Sequence, residues 1–172
     1  MLYCDYLISG GTMMSSKTLC YLIRFAVMAT AACSLFIALF VIPSWGASIA
    51  DANPEYAGWY LPWLVFIWTA SLPCFAILLF IWKVSGAIKR EEVFLLKTAK
   101  WIKTSAVLLF ADAGFFFVGN VVFLLLNMSH PGILFLSMLG NIFAIALALL
   151  AAVLSRYITK AAELQEASEG TI

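Results

Sequence analysis

The sequence predicts an all-α integral membrane protein, a bundle of four transmembrane helices that run up, down, up and down. Hydrophobic residues make up 65% of the 172 residues and charged residues only 11%, whereas about a quarter of the residues in a soluble domain are charged. Apolar runs of the ~20 residues needed to cross a bilayer occur four times. They are Phe25 to Ile42, Trp63 to Trp82, Thr104 to Leu126 and Ile133 to Leu154.

The basic residues predict the orientation of these spans. They precede the first span, lie between the second and third, or follow the fourth: Lys17, Arg24, Lys83, Lys89, Arg90, Lys97, Lys100, Lys103, Arg156 and Lys160. The connections 43–62 and 127–132 contain no Lys or Arg. Because cytoplasmic loops carry the excess of Lys and Arg, both termini and the middle connection are predicted to be cytoplasmic.

The N-terminal region allows two interpretations. Lys17 and Arg24 precede an apolar run that small residues at 47–50 follow, as in a secretory signal peptide. The run is longer than the ~7 to 15 residues of a signal core, so we expect a retained helix. Residues 1–20 are assigned as a cytoplasmic segment open to disorder, with Met13 and Met14 as alternative starts, and residues 21–160 as the transmembrane domain.

The first outer connection carries two acidic residues, no basic residue and several aromatic rings. Asp51, Glu55 and Trp59 are candidate ligand-binding residues, because carboxylates attract a cation and aromatic faces stack on it. On this interpretation the connection is a lid over the outer end of the bundle. The alternative is an aromatic belt, since Trp and Tyr favour the headgroup level in membrane proteins generally.

The second outer connection, residues 127–132, is predicted to be a tight turn, because it consists largely of residues that break helices. His130 lies in it and is the only His of the chain. No Cys or His spacing is typical of a metal site, so we expect a structural role for His130 and no bound metal.

Asp112 is the only charged side chain well inside a predicted span. A carboxylate at that depth costs about 2.5 to 3.5 kcal/mol unless it is protonated, paired or hydrated. Asp112 is therefore a candidate proton or cation site, with Asn120 and Asn141 along a polar path. Alternatively, Asp112 reaches Lys103, headgroup water or a neighbouring helix end, and the asparagines join helices. In an antiparallel hairpin Asn120 lies near the level of Asn141, where a hydrogen bond is reasonable.

Two further patterns concern helix packing. Pro73 lies inside the second span and removes a backbone donor, which predicts a kink. Gly114, Gly119 and Gly140, together with an Ala-rich run over residues 144–152, predict a close approach of the third and fourth helices.

The third helix is predicted to begin in the cytoplasm, because Glu91 and Glu92 precede a helix-favouring stretch. Lys97, Lys100 and Lys103, three residues apart, form a basic stripe along it. This stripe either contacts lipid headgroups by snorkelling or docks a cytoplasmic protein.

Residues 161–172 are predicted to form an acidic cytoplasmic tail that continues the fourth helix. Glu163 and Glu166 lie in this tail. Their charge is opposite to that of Lys97 and Lys100, so the tail and the basic stripe can pair across the cytoplasmic face or together form a docking surface.

Several stretches resemble a known family. They are the Leu72, Pro73 pair, residues 93–102 before the third span, residues 162–166 of the tail and the terminal Thr171, Ile172. From about Phe25 to Ile172 the chain is similar to bacterial membrane proteins of the domain-of-unknown-function 2975 family, although its ending at 168–170 is less acidic. The resemblance implies a four-helix bacterial inner-membrane protein of no established activity, often encoded beside a small helix-turn-helix transcription regulator.

No phosphate loop, nucleophile elbow or pair of carboxylates at catalytic spacing occurs in the sequence, so we expect no catalysis and no cofactor. Two functions remain. The first is a regulator or sensor of the bacterial inner (plasma) membrane that docks a cytoplasmic DNA-binding regulator and does not itself bind nucleic acid. The second is a small transporter that works as a homo-oligomer, with Asp112 as its coupling carboxylate.

Overall fold

The computed structural model describes residues 15–90, 94–129 and 131–169, and the regular elements within these ranges are all helical. They are α1 (Ser16–Phe36), a π-helical turn (Ile37–Val41), α2 (Ile42–Ala52), a 3-10 helix (Pro54–Trp59), α3 (Tyr60–Lys89), α4 (Leu96–Leu125) and α5 (Pro131–Glu169). Four stretches are long and apolar enough to cross a membrane: Lys17–Ala52, Ala57–Lys89, Leu96–Leu125 and Leu134–Ser168. The predicted class, an all-α protein with four membrane-spanning helices, is confirmed.

The first transmembrane helix consists of α1, the π-helical turn and α2, and Pro43 accounts for its wider turn. Proline has no N–H group, so a regular α-helix through this position would lose a backbone hydrogen bond. In the π-helical turn the Ile42 N–H instead donates to the carbonyl of Ile37. The carbonyl of Ala38 accepts a hydrogen bond from the Trp68 indole on α3 at 2.9 Å. A side chain of the next helix therefore stabilises the irregular turn, as is usual within membranes.

The first outer connection is shorter than predicted, because α2 continues to Ala52. Asp51 lies in the last turn of this helix and not in a lid. The Asn53 side chain donates to the carbonyl of Ile49 at 3.0 Å and so caps the helix end. Only Asn53 and the 3-10 helix then separate α2 from α3.

Helix α3 runs as one α-helix through Pro73. It packs closely on α2, because Gly46 is buried and a Cβ atom there would lie 2.8 Å from the Tyr60 ring. The Tyr60 hydroxyl donates to the carbonyl of Pro43 at 3.1 Å. These contacts fix the outer half of the first transmembrane helix against α3.

Helices α4 and α5 meet along a seam of small residues that repeat every seven positions. The α4 members are Ala99, Ala106, Ala113 and Asn120, and the α5 members are Asn141, Ala148, Ser155 and Ala162, all of them buried. The Ser155 hydroxyl donates to the carbonyl of Ala99 at 2.8 Å, which sets the register. A seven-residue repeat keeps one face of each helix on its partner, and small side chains allow the backbones to approach closely.

The expected roles of the glycines need correction. Gly114 and Gly140 have open space where a Cβ atom would lie, so neither brings α4 close to α5. Gly119 instead accommodates Phe66 of α3, whose ring leaves no room for a Cβ atom at this position. The Phe66 ring also lies 5.6 Å from that of Phe116 and 5.2 Å from that of Phe123. This aromatic cluster joins α3 to α4.

In the described part of the chain the four transmembrane helices lie in a row, since their main contacts join α1 to α3, α3 to α4 and α4 to α5. Contacting residues run in opposite directions along the first transmembrane helix and α3: Cys20 meets Ser85, and Ala38 meets Trp68. Helix α4 lies between α3 and α5. A groove that runs along α4 between its two neighbours is therefore bordered by all three helices.

The connection between α4 and α5 is a tight turn, as predicted, and Asn127 adopts a positive φ of 54° in it. Helix α5 has 39 residues, a length of about 58 Å at 1.5 Å per residue, so it is far longer than a ~30 Å hydrocarbon core requires. The predictions for residues 1–14, for Glu91 and Glu92, for His130 and for residues 170–172 fall outside the described residues.

Candidate functional site

A cleft of about 290 Å³ opens on one side of α4 and is bordered by α3, α4 and α5. Its lining residues are Ile67, Ala70, Ser71, Cys74, Asp112, Ala113, Phe116, Gly140, Asn141 and Ala144. The alanine and glycine residues among them keep the cleft open, since larger side chains at these positions would fill it. Ser71, Cys74, Asp112 and Asn141 place polar groups from all three helices on its walls.

Asp112 is the central polar group of this cleft. One carboxylate oxygen, Oδ2, accepts a hydrogen bond from the Cys74 thiol over 3.7 Å, a long contact to sulfur. The other oxygen, Oδ1, is enclosed and has no hydrogen-bond partner. No described basic side chain forms an ion pair with this carboxylate, although such a pairing is the usual arrangement for a charge inside a membrane.

The bounds of α4 give the position of Asp112 along the helix. Helix α4 begins at Leu96 and ends at Leu125, so Asp112 is about 24 Å from one end and 20 Å from the other at 1.5 Å per residue. Lys103 is nine residues earlier on the same helix. Asp112 therefore lies near the middle of α4, where its polar neighbours are those of the cleft.

Asn120 has a different partner from the one predicted. Its carbonyl oxygen accepts a hydrogen bond from the Ser137 hydroxyl on α5 at 3.1 Å, and its amide donates to the carbonyl of Phe116 at 2.8 Å. Asn141 lies one turn further along α5 and lines the cleft. The register set by Ser155 and Ala99 places Asn141 level with Ala113, so the expected hydrogen bond between the two asparagines does not form.

These groups are of the kinds that can bind a cation. Asp112 supplies negative charge, and Ser71 and Asn141 supply further oxygen atoms at the wall of the same cleft. Phe116 and the alanines make the rest of the wall apolar. A proton, a small cation or the charged end of an apolar molecule fits such a cleft. In the described residues no three His, Cys, Asp or Glu side chains lie close enough together to hold a metal ion.

The candidate ligand-binding residues Asp51, Glu55 and Trp59 lie in or next to the connection between α2 and α3. All three are exposed, and none of them borders the cleft. A shallow depression on the first transmembrane helix is lined by Phe40, Val41, Ser44, Trp45 and Ser48 and does not include them either. Trp59 ends the 3-10 helix that joins α2 to α3.

The predicted docking residues Lys97, Lys100, Glu163 and Glu166 are all exposed. The Lys97 ammonium lies 5.4 Å from the centre of the Trp101 ring. Within the described chain no ion pair joins the two lysines to the two glutamates. The reason is the register: Ser155 is level with Ala99, which places Glu163 and Glu166 beyond the first turn of α4.

Sequence reasoning identified Asp112 and Asn141 but missed Ser71, Cys74 and Phe116 as their neighbours. Serine, cysteine and phenylalanine are common in transmembrane helices, so nothing local marks these three. The sequence does contain one indication of the cleft, the seven-residue repeat of small residues on α4 and α5. This repeat defines the register of the two helices and therefore the position of the cleft.

Comparison with known proteins agrees with the resemblance noted from the residues. Residues 44–172 match the family described as protein of unknown function (DUF2975), and this match covers α3, α4 and α5 and therefore the whole cleft. No curated protein and no solved structure matches the chain. The chain belongs to the DUF2975 family of proteins of unknown function.

Proposed function

We propose that this protein is a non-enzymatic membrane regulator or sensor, in which the intramembrane cleft receives a signal and the cytoplasmic ends of α4 and α5 dock a partner. The observation that carries this proposal is the continuity of α5. This helix is unbroken from Pro131 to Glu169. It contributes Asn141 to the cleft and Glu163 and Glu166 to the opposite end, so one rigid element connects the two regions.

The geometry of α5 makes such coupling physically reasonable. Asn141 and Glu163 are 22 residues apart, which is about 33 Å along a helix. A ligand that binds between Asp112 and Asn141 acts on both sides of the seam between α4 and α5. Because packed helices shift as rigid bodies by small translations or rotations, a change in this seam moves the exposed ends as well.

The cytoplasmic surface has the charge pattern of a docking site. Lys97 and Lys100 are basic and Glu163 and Glu166 are acidic, and all four side chains are exposed without ion pairs among the described residues. Complementary charge steers encounter and selects partners more than it adds affinity. The partner class implied by the family resemblance is a small helix-turn-helix transcription regulator, with which this protein makes no direct nucleic acid contact.

The proposal requires an orientation with α4 beginning and α5 ending in the cytoplasm. The ten basic residues on that side support this orientation. We accordingly place the protein in the bacterial inner membrane as a multi-pass protein with both termini inside. Labelling of single cysteines tests it: Asp51→Cys should react with a membrane-impermeant thiol reagent from outside and Lys97→Cys should not. Reaction of both from outside would exclude this topology.

Affinity purification of the full-length protein in mild detergent tests docking. We expect a small DNA-binding protein to be recovered at low salt and lost at high salt, because exposed charges are screened. Lys97→Glu combined with Lys100→Glu should release it without affecting membrane insertion. The control is Lys83→Glu combined with Arg90→Glu, which reverses two exposed charges at the end of α3 and should retain the partner. Equal recovery with both variants would show that the basic stripe contacts only headgroups.

A second function is supported by the unpartnered Oδ1 atom of Asp112 in an open cleft. A coupled transporter requires a group within the membrane that binds and releases a proton or cation, and the Asp112 carboxylate can be that group. A transporter of this small size would work as a homo-oligomer. Proton-coupled uptake of a cationic dye into proteoliposomes, lost in Asp112→Asn and retained in Cys74→Ala, would favour transport over regulation. The same uptake in all three proteins would exclude Asp112 as the coupling group.

A further inference from the structure

A second polar region lies at the other side of the helix row, where the N-terminal part of α1 packs against the C-terminal part of α3. The Cys20 thiol and the Ser85 hydroxyl are buried in this seam, 3.2 Å apart. Beside them, the Arg24 guanidinium lies 4.9 Å from the centre of the Trp82 ring. One turn further out, the Lys89 ammonium lies 5.7 Å from the centre of the Tyr21 ring.

These residues share one face of the two helices. At about 100° per residue, Lys17, Tyr21 and Arg24 fall within a narrow sector of α1. Trp82, Gly86 and Lys89 do the same on α3. The face therefore presents three basic groups and two aromatic rings, with Gly86 as a gap between them. The shortest distance from a Cβ atom built at Gly86 is 3.6 Å, to the Arg24 guanidinium.

The positive charge of this face has no counter-charge on its own helices. Neither Ser16–Phe36 nor Tyr60–Lys89 contains an Asp or Glu. The Nε atom of Arg24 is enclosed and has no hydrogen-bond partner, and no described acidic residue pairs with the guanidinium. Stacking on Trp82 holds the guanidinium in place, which leaves its terminal amino groups as oriented donors. An oxyanion is the ligand that this arrangement fits.

The surroundings of the face favour a lipid over a soluble anion. Towards the membrane centre the same two sectors continue with Met28 on α1 and Leu79 on α3, whose side chains are 58% and 67% exposed. These apolar side chains lie where acyl chains would run below a headgroup bound at Arg24. A free phosphate ion has no apolar part that could contact these side chains.

We infer that the face formed by Lys17, Tyr21, Arg24, Trp82, Gly86 and Lys89 is a binding site for the phosphate group of an anionic phospholipid. Arg24 contacts the phosphate oxygens, and Lys17 and Lys89 contribute charge from either side. The Trp82 ring orients the Arg24 guanidinium, and the Tyr21 ring orients the Lys89 ammonium. The site anchors α1 to α3 at the cytoplasmic headgroup level and is independent of the cleft at Asp112.

Native mass spectrometry of the full-length protein in detergent tests this inference, with dioleoyl phosphatidylglycerol, dioleoyl phosphatidylcholine and sodium phosphate as probes. We expect phosphatidylglycerol to be retained in preference to phosphatidylcholine, and phosphate ion not to displace it. Arg24→Gln and, separately, Lys89→Gln should weaken phosphatidylglycerol retention about fivefold each, since a basic residue near an anionic lipid contributes about that factor.

The matched control is Lys103→Gln, which removes one exposed positive charge from α4 on the same side of the membrane. It should leave lipid retention unchanged. Lys89 is exposed, so its substitution tests the site even where Arg24→Gln reduces stability. Equal loss in all three variants would mean general attraction between charges and headgroups, and equal retention of the two lipids would exclude the site. Displacement by phosphate ion would assign the face to a soluble anion.

Discussion

The Cys74 thiol of α3 donates a hydrogen bond to the Asp112 carboxylate of α4 near the middle of both helices. The contact spans 3.7 Å and satisfies only one of the two carboxylate oxygens. A thiol is a weak donor, and it does not offset the cost of a charge at this depth. We therefore expect the position of Asp112 to reduce stability, which is typical of groups kept for function.

Replacement of Asp112 by Asn should stabilise the protein, because the variant keeps a polar side chain in the cleft and removes the charge. We expect an increase of about 1 to 3 kcal/mol in the free energy of unfolding at neutral pH. Denaturation in mixed micelles, followed by circular dichroism, measures it, with Cys74→Ala as the control for the hydrogen bond. A loss of stability in Asp112→Asn would show that the carboxylate makes favourable contacts in the membrane.

The contact between Gly119 and Phe66 predicts a strong effect of one methyl group. Gly119→Ala should destabilise the protein by about 1 to 3 kcal/mol, because the new Cβ atom would overlap the Phe66 ring. Gly114→Ala is the matched control on the same helix and meets open space, so it should be neutral or slightly stabilising. Phe66→Leu should relieve the clash in the double variant. Equal unfolding free energies for the two alanine variants would contradict the described packing.

The small-residue seam makes a similar prediction for α4 and α5. Ala148 is fully buried and Ala146 is exposed on the same helix. Ala148→Leu should cost about 1 to 3 kcal/mol by overpacking the seam, whereas Ala146→Leu should change stability little. Thermal unfolding in nanodiscs compares the two. A loss of stability in Ala146→Leu but not in Ala148→Leu would contradict the assignment of the face of α5 that packs on α4.

The hydrogen bond from Trp68 to Ala38 should depend on Pro43. Trp68→Phe leaves the Ala38 carbonyl without this donor and should cost about 1 to 2 kcal/mol. Pro43→Ala supplies a backbone N–H. Regular backbone hydrogen bonds can then continue from α1 into α2 without the Trp68 indole as a donor. We therefore expect Trp68→Phe to be nearly neutral in a Pro43→Ala background. Additive costs in the double-mutant cycle would mean that the indole acts through packing alone.

Much of the fold was predictable because the bilayer imposes a simple rule: spans must be long, apolar and helical. Asp112 was also predictable, since one charge in an apolar run is conspicuous. Its neighbours were not, because Cys74 lies 38 residues away and the register between α3 and α4 is set by contacts such as that of Gly119 with Phe66. Nor does apolar periodicity reveal the buried faces, since lipid-facing positions are as apolar as buried ones.

The role of the α5 extension is the central claim, and photo-crosslinking in cells tests it most directly. A photoreactive amino acid at Glu163 or at Lys100 should give a discrete protein adduct, and the Lys97→Glu variant should lose the adduct formed from position 163. The same label at Leu136, which is exposed on the membrane part of α5, should give none. If positions 163 and 100 yield no protein adduct, or the adduct survives charge reversal, the docking account is wrong.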